Sequence, residues 1–351
     1  MFTVSKSDIM DVRKLQLVGR ASFSVTLPPG WIKENNLKPG DQITLTQEED
    51  GSLKLISGLV PEPKKFITKI DADRCKQPGL LQRLIVGGYV RGAELIEVVS
   101  KNRISREQKD EIQETVNGLL GLGVMEVTSD HVMIQSMIDH SKFPIVPLLK
   151  RLCWLASSMQ KDAIQALRDK DMSLAADVTH RENEVNKIYW LAVRQLVAAT
   201  HDKSLLQKLG LNVSEDLTSY RTMATRNESR ADFAEDIAKN VLALGKRETS
   251  DKRLLQKVIQ LGEQAHEAGQ GACEAFFKGH MLSANSVVDD VDHFEERAEE
   301  LIKEVRTKVG DTHVGTCLIV IIRDLCSISE CAKRIAEITI NNSIVDKGEL
   351  P

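Results

Sequence analysis

Proline is absent from residues 148–350, a stretch of 203 positions in a chain of 351 residues. Eight of the nine prolines (Pro28, Pro29, Pro39, Pro61, Pro63, Pro78, Pro144 and Pro147) come earlier, and the ninth is Pro351. Proline removes a backbone donor and clashes with the preceding helical turn, so so long a segment without one can wind into long helices of about 1.5 Å rise per residue. The longest aliphatic run, CLIVII at 317–322, falls far short of the roughly 20 residues that cross a bilayer. The chain therefore divides near Pro147 into a proline-punctuated part and a helical part.

The first part subdivides again. Apolar and polar residues alternate in VRKLQLV (12–18), SFSVTL (22–27), QITLTQ (42–47) and SLKLIS (52–57), as half-buried strands require. Gly19 breaks the first pair, and Glu49-Asp50-Gly51 supplies a turn for the second. Between the pairs, PPGWIKENNLKPGD starts with prolines that suit a first helical turn and closes on Pro39-Gly40, which leaves room for a short helix. This unit spans 1–58. Pro61 and Pro63 mark a linker into an α+β region, 59–143. There, strand-like KKFITKI (64–70) and ELIEVVS (94–100) bracket a helical LLQRLIVGGYVRG, and Ser105 with Gln108 reads as a capping box for a helix to about Leu120. VMEVTSDHVMIQSMI (124–138) reads as a hairpin that turns at Ser129-Asp130. Neither Gly87-Gly88 nor Gly121/Gly123 has the Lys-Ser/Thr or spacing of a phosphate loop.

Residues 144–351 are predicted to be helical and duplicated. Breaks near Asp171, His201 to Asn212, Glu248 to Asp251, Gly279 and Gly310 predict six helices in two sets of three, about 144–248 and 249–345. DMSLAADV (171–178) aligns with HMLSANSV (280–287), and the third helix of each half repeats one pattern: Arg221, Glu228, Ala234, Glu235, then Arg323, Glu330, Ala336, Glu337. Shared polar spacing says more than shared leucines, which any amphipathic helix supplies. Trp154, Tyr189 and Trp190 are placed in the helical core.

These residues carry two resemblances. The segment RKLQLVGRASFSVTLPPGWIKENNLKPGDQITLTQEEDGSLKLIS resembles the AbrB/MazE/SpoVT swapped-hairpin DNA-binding modules, with their basic strand, Gly-Arg, β-strand, Pro, short helix and L-K-x-G-D. The helical region resembles the PhoU family, whose third helix carries E-x-x-x-D followed by a small residue and Glu, here Glu228, Asp232, Ala234 and Glu235. Together they resemble the archaeal-type AbrB–PhoU phosphate uptake regulators. The resemblance implies a multidomain chain: a small all-β swapped-hairpin barrel completed by a second subunit, an α+β middle region, and an all-α domain of two three-helix bundles.

What this implies for function can be weighed residue by residue. Residues 12–38 hold five basic side chains against one acid, and a dimer would double that face toward double-stranded DNA. Arg13, Lys14, Arg20 and Lys33 are the candidate contacts, with Ser22 and Ser24 as helpers. Residues 1–57 as a whole carry seven basic and seven acidic residues, which counts against tight binding. In the helical part, Glu228, Asp232 and Glu235 follow i, i+4, i+7 on one stripe beside Ala231, Ala234 and Ala238, and Asp177, His180, Glu182 and Glu184 could add oxygen or nitrogen donors. The resemblance implies metal ions there, iron, zinc, manganese or magnesium. In the second half, Arg334 stands where Asp232 stands in the first and could pair with Glu330 or Glu337 in place of a metal. The second-half candidates are Asp289, Asp292, Glu330 and Glu337, with His293 beside them.

No nucleophile elbow, H-E-x-x-H, Walker loop or dinucleotide fingerprint occurs, so an enzyme is not expected. The six cysteines are scattered without C-x-x-C, which fits free thiols, and the start of the chain lacks a signal-like apolar run, so a cytoplasmic, non-membrane-inserted protein is expected. The net charge of −4 lies wholly in the helical part, where 32 acids meet 28 bases. The leading expectation is a dimeric transcriptional regulator of phosphate uptake. The alternative is an adaptor that dimerises through the first module without binding DNA and docks on a phosphate transporter or a sensor kinase.

Overall fold

The computed structural model describes residues 11–47, 51–58, 66–200, 203–211, 214–245, 247 and 251–344. The expected Glu49-Asp50 turn, the Pro61/Pro63 linker and parts of the breaks at 201–212 and 248–251 lie outside them. The chain separates into two units, Met1–Lys65 and Phe66–Pro351.

In the first unit, β1 (Gln16–Val18) pairs antiparallel with β2 (Ser22–Ser24), helix α1 (Pro29–Glu34) follows, and β3 (Ile43–Gln47) pairs antiparallel with β4 (Leu53–Ser57). Gly19 turns the first hairpin at φ +70°, and α1 opens on Pro29 behind Pro28. The first two strands are shorter than the alternations at 12–18 and 22–27 predict. A two-stranded ribbon with nothing against its apolar face frays at its ends, and none of the described residues of 11–58 is buried.

The second unit begins with a four-stranded sheet. Strand β5 (Ile67–Asp71), helix α2 (Leu80–Val90), strand β6 (Leu95–Val99), helix α3 (Arg106–Asn117) and hairpin β7 (Leu122–Val127) with β8 (His131–Ser136) follow one another, in spatial order β5-β6-β8-β7. Only β5 and β6 run parallel. Ser105 and Gln108 close the capping box of α3, which ends at Asn117 rather than near Leu120. Ile70, Ile96, Val98, Val132 and Ile134 bury one face of the sheet in a common core with Leu81, Ile85 and Tyr89 of α2 and Ile112 and Val116 of α3.

Six long helices follow: α4 (Ile145–Asp169), α5 (Met172–Ala199), α7 (Ser214–Leu244), α8 (Lys252–Lys278), α9 (Met281–Lys308) and α10 (Thr312–Asn342), with the short α6 (Lys203–Lys208) between α5 and α7. Pro144 and Pro147 fall at the start of α4, where the backbone donors have no partner inside the helix. The duplication is visible in the caps. Lys170 and Gly279 turn left-handed (φ +55° and +63°), and Asp171 and His280 then cap α5 and α9 by accepting from Leu174 N and Ser283 N. The aligned octapeptides are thus the same corner built twice. Within each half the third helix, α7 or α10, packs on the other two; α7 meets α10, and α4 meets α8, across the halves. Trp154 is a correction: it is 66% exposed, on a stripe of α4 with Lys150, Arg151 and Lys161, while Tyr189 is buried and Trp190 half-buried.

Candidate functional site

The carboxylates of the first repeat stand at the edge of the packed face of α7. Ala231, Ala234 and Ala238 are fully buried, which leaves Glu228, Asp232 and Glu235 half-buried beside them. Glu182 of α5 faces the same patch. Burial, then the charge of Asp232, pushes the Glu228 carboxyl up to about 7. Burial followed by Glu235 raises Asp232, and burial followed by Glu235 and Asp232 raises Glu182. Lys239 bonds Glu235 at 2.7 Å and Asp236 at 3.3 Å. The structure therefore brings Glu182, Glu228, Asp232 and Glu235 into one repelling group. It uses Asp177 otherwise, on Arg181 at 3.3 Å; Arg181 also holds Asp162 at 2.6 Å, Glu184 pairs with Arg151, and His180 is exposed. Among the described residues no three His, Cys, Asp or Glu side chains converge as a ligand set. The oxygen-rich, charge-excess group fits a hard cation in donor type, and it would have to close around one.

The second repeat is neutralised from within. Arg334 bonds Glu330 at 2.8 Å and Glu337 at 2.9 Å, Lys333 holds Asp292, and Asn285 donates to Asp289 at 3.0 Å. His293 is exposed. With a fixed guanidinium between its two glutamates, this site does not fit a metal.

Two buried arginines were not singled out from sequence. Arg194 of α5 donates to Tyr89 O, to Ala93 O at 3.2 Å and to Ser136 Oγ at 3.1 Å, and its guanidinium lies 4.8 Å from the centre of the Tyr89 ring. It thereby brings positive charge to the C-terminal end of α2, the favourable end for a cation. Its neighbour Gln195 donates to His140 O and Phe143 O at 2.8 Å each. The available signal was a polar pair inside the apolar run LAVRQLVAA. Arg230 of α7 is fully buried between helices and occupies the space beside Gly269, where a Cβ would lie 2.1 Å from its guanidinium.

In the first unit, Arg20 sits at the tip of the β1–β2 hairpin, Arg13 and Lys14 precede β1, and Lys33 is exposed on α1. Arg13 is paired with Asp11. Ser22 and Ser24 end the register of β2 opposite Val18 and Gln16. Around this basic set lie Val12 (85% exposed), Phe23 (65%), Leu15, Leu17, Val18, Val25, Leu45 and Leu53, all open to solvent.

The family model described as "PhoU domain" matches residues 149–241, and that described as "Antidote-toxin recognition MazE, bacterial antitoxin" matches 16–66. The chain joins a MazE-like module to a PhoU-like domain. Among solved structures, the PhoU-like part resembles PhoU from Pseudomonas aeruginosa at 21% identity and TM-score 0.51, over 56% of this chain and 93% of that one. It also aligns with the phosphate transport system regulatory protein PhoU from Streptococcus pneumoniae at 21% identity and TM-score 0.49, over 59% and 95%. At 21% identity the likeness to the Pseudomonas aeruginosa protein is one of fold. No curated protein matches the chain significantly. Among the described residues no helix is long and apolar enough to cross a membrane.

Proposed function

We propose that this protein is a dimeric, DNA-binding, non-enzymatic regulator of phosphate uptake, of the archaeal AbrB–PhoU kind, acting in the cytoplasm, with its PhoU-like domain as the responsive part. One observation carries the proposal: among its described residues the MazE-like module has a basic hairpin and eight exposed large apolar side chains, yet none that is buried. Such a module is half of something. A second copy, interleaving its hairpins into a swapped barrel, covers the apolar side chains, pairs the strand edges and sets two copies of Arg13, Lys14, Arg20 and Lys33 on one face. Arg20, at the hairpin tip, then meets the phosphate backbone first.

The PhoU-like domain contributes the sensing end. Glu228 and Asp232, with Glu182 and Glu235, would hold iron, zinc, manganese or magnesium. A bound cation supplies the positive charge that the group lacks. These carboxylates come from α5 and α7, so drawing them together shifts α5. Arg194 of that helix is bonded to α2 and β8, and the shift passes into the sheet by those bonds. Regulation on this scheme requires that the two arrangements bind DNA differently.

A mobility shift with the upstream region of a phosphate-transport operon tests the reading. Specific binding that weakens steeply with salt, and weakens uniformly in Arg13→Ala and Arg20→Ala, supports it. A folded dimer that shows no salt-sensitive binding but captures a phosphate-transporter component or a sensor kinase would establish the adaptor reading, which the zero net charge of 1–57 favours. Elemental analysis of the purified protein should find metal that is lost in Glu228→Ala/Asp232→Ala; equal content in the double variant removes the metal site.

A further inference from the structure

Among the described residues the guanidinium of Arg230 meets neutral acceptors: Asn227 Oδ1 at 2.8 Å, Gln160 Oε1 at 3.3 Å and Cys273 Sγ at 3.4 Å. Its Nε finds no partner. Of those acceptors, only the Cys273 sulfur can become an anion. It stands on α8, and across from it on α4 stands Cys153.

The register of α4 against α8 fixes that opposition independently of the sulfurs. Lys150 of α4 lies over the Phe277 ring of α8, 5.4 Å from its centre. Lower down, Ile164 packs against Gly262 so tightly that a Cβ there would come within 2.9 Å of it, and Arg168 pairs with Glu263. The two helices therefore run antiparallel, each residue forward on one matching a residue back on the other. From the Ile164/Gly262 contact, eleven residues along both helices, three turns, lead to Cys153 and Cys273 on the same facing stripe. That register sets the two thiols opposite each other across the α4–α8 seam.

We propose that Cys153 and Cys273 are a redox pair that closes into a disulfide between α4 and α8 when the protein meets a hydroperoxide. With hydrogen peroxide as the oxidant, Cys273 loses its proton and its sulfur attacks one peroxide oxygen; the O–O bond breaks, the departing hydroxide takes up that proton and leaves as water, and Cys273 becomes a sulfenic acid. The sulfur of Cys153 then attacks that of Cys273, the S–O bond breaks, and the hydroxyl departs as water with the Cys153 proton. Two thiols are oxidised and one hydroperoxide is reduced, with no further reagent.

The surroundings suit this order of events. The hydrogen bond from Cys153, together with the Arg230 charge, holds the Cys273 thiol below its ordinary value against the opposing effect of burial. Burial pushes Cys153 up, and it pushes Cys75, Cys317, Cys326 and Cys331 up as well, which makes Cys273 the favoured nucleophile. Cys153 and Cys273 are both buried, so the oxidant has to be as small and uncharged as hydrogen peroxide and to enter as the helices breathe. The bond would tie the first helix of one repeat to the first helix of the other.

The test uses the full chain treated with hydrogen peroxide. Free thiols are then blocked, and the protein is digested and mapped by mass spectrometry. A Cys153–Cys273 linked peptide is expected, reversed by dithiothreitol. In Cys153→Ser that peptide is lost and Cys273 is instead trapped by dimedone. In Gly269→Ala, whose new methyl displaces the Arg230 guanidinium, oxidation is expected to slow about threefold, because the thiol loses a nearby positive charge while its thiolate becomes more nucleophilic. The proposal fails if Cys153 and Cys273 stay fully blockable in folded protein while other cysteines oxidise, or if either links to a different cysteine. Unchanged dimedone capture in Cys273→Ser/Cys153→Ser relative to Cys153→Ser alone also overturns it.

Discussion

In the first helical repeat, Glu228, Asp232 and Glu235 crowd one stripe of α7, with Lys239 bonded only at its far end; in the second, Arg334 sits between Glu330 and Glu337 and bonds both. The two stripes share a scaffold, since corner, cap and third-helix spacing recur, and one residue in four turns decides their electrostatics. An acid at the central position leaves a group that repels itself and draws its neighbours' protonation upward. An arginine there closes the account locally, at an exposed site where such pairs contribute little to stability. Duplication thus yields one repeat able to respond to an ion and one that is already satisfied. The inequality extends to the interior. The first repeat supplies Arg230, the second supplies the gap at Gly269 that admits it, and the residue in the second repeat that corresponds to Arg230 is Ala332.

The largest effect expected from breaking this asymmetry is at that gap. Gly269→Ala should lower stability by about 2–3 kcal/mol, because the added methyl overlaps a buried guanidinium that must leave its acceptors to make room; urea unfolding would measure it, and a loss within error would mean that Arg230 relocates freely. Next comes Asp324 of α10, whose counterpart in the first repeat is the neutral Thr222. Burial, then Asp236, raises its carboxyl to about 7, and its Oδ2 has no hydrogen-bond partner. An acid raised on folding binds protons more tightly in the native state, so its contribution to stability is whole below about pH 4, its unfolded range, and is lost as pH climbs toward 7. Asp324→Asn should therefore stabilise by about 1–3 kcal/mol above pH 7 and by almost nothing near pH 4, in thermal melts run at both values. A pH-independent gain would point to packing instead.

A smaller change is expected from making the first repeat resemble the second. Asp232→Arg should pair with Glu228 and Glu235, raise stability by about 0.5–1 kcal/mol in the presence of a chelator and abolish any cation-dependent rise in melting temperature. Calorimetric scans with and without manganese would separate those two results. Smallest of all, Arg334→Ala should leave the melting temperature within error at physiological salt, since the pairs it removes are exposed; a clear drop would show that the second stripe is structural rather than merely neutral.

Much of this was legible before any coordinates. Alternation located all four strands of the first module and the polar spacing on the third helices revealed the duplication, whereas proline placement marked where the long helices begin but not a unit boundary, since the sheet and the helices belong to one unit from Phe66. These signals are local or periodic, and they survive in one dimension. Trp154 shows the limit. It lies in LCWLAS, where nearly every neighbour is apolar, so periodicity cannot say which way it points, and it points to solvent. Arg194 and Arg230 were missed for a related reason. A buried guanidinium needs acceptors that come largely from distant segments: Tyr89 and Ala93 for Arg194, and Gln160 and Cys273, beside the local Asn227, for Arg230. Nothing adjacent in the chain announces them. Within the acidic group, Glu182 lies close enough to Glu235 and Asp232 to feel their charge, whereas Asp177, more than one turn earlier on α5, pairs with Arg181.

The bonds made by Arg194 also determine where this polypeptide can be cut. A fragment that begins at the start of α4 would look self-sufficient, with six long helices and a large core, but it would strip Arg194 of every partner and uncover the part of α5 against which the sheet region packs. Such a fragment should express badly or recruit a stray acceptor, whereas one that begins at Phe66 keeps the arginine's whole set of partners. Any recombination that exchanged PhoU-like domains among such chains would, by the same reasoning, have to carry the sheet along with the helices.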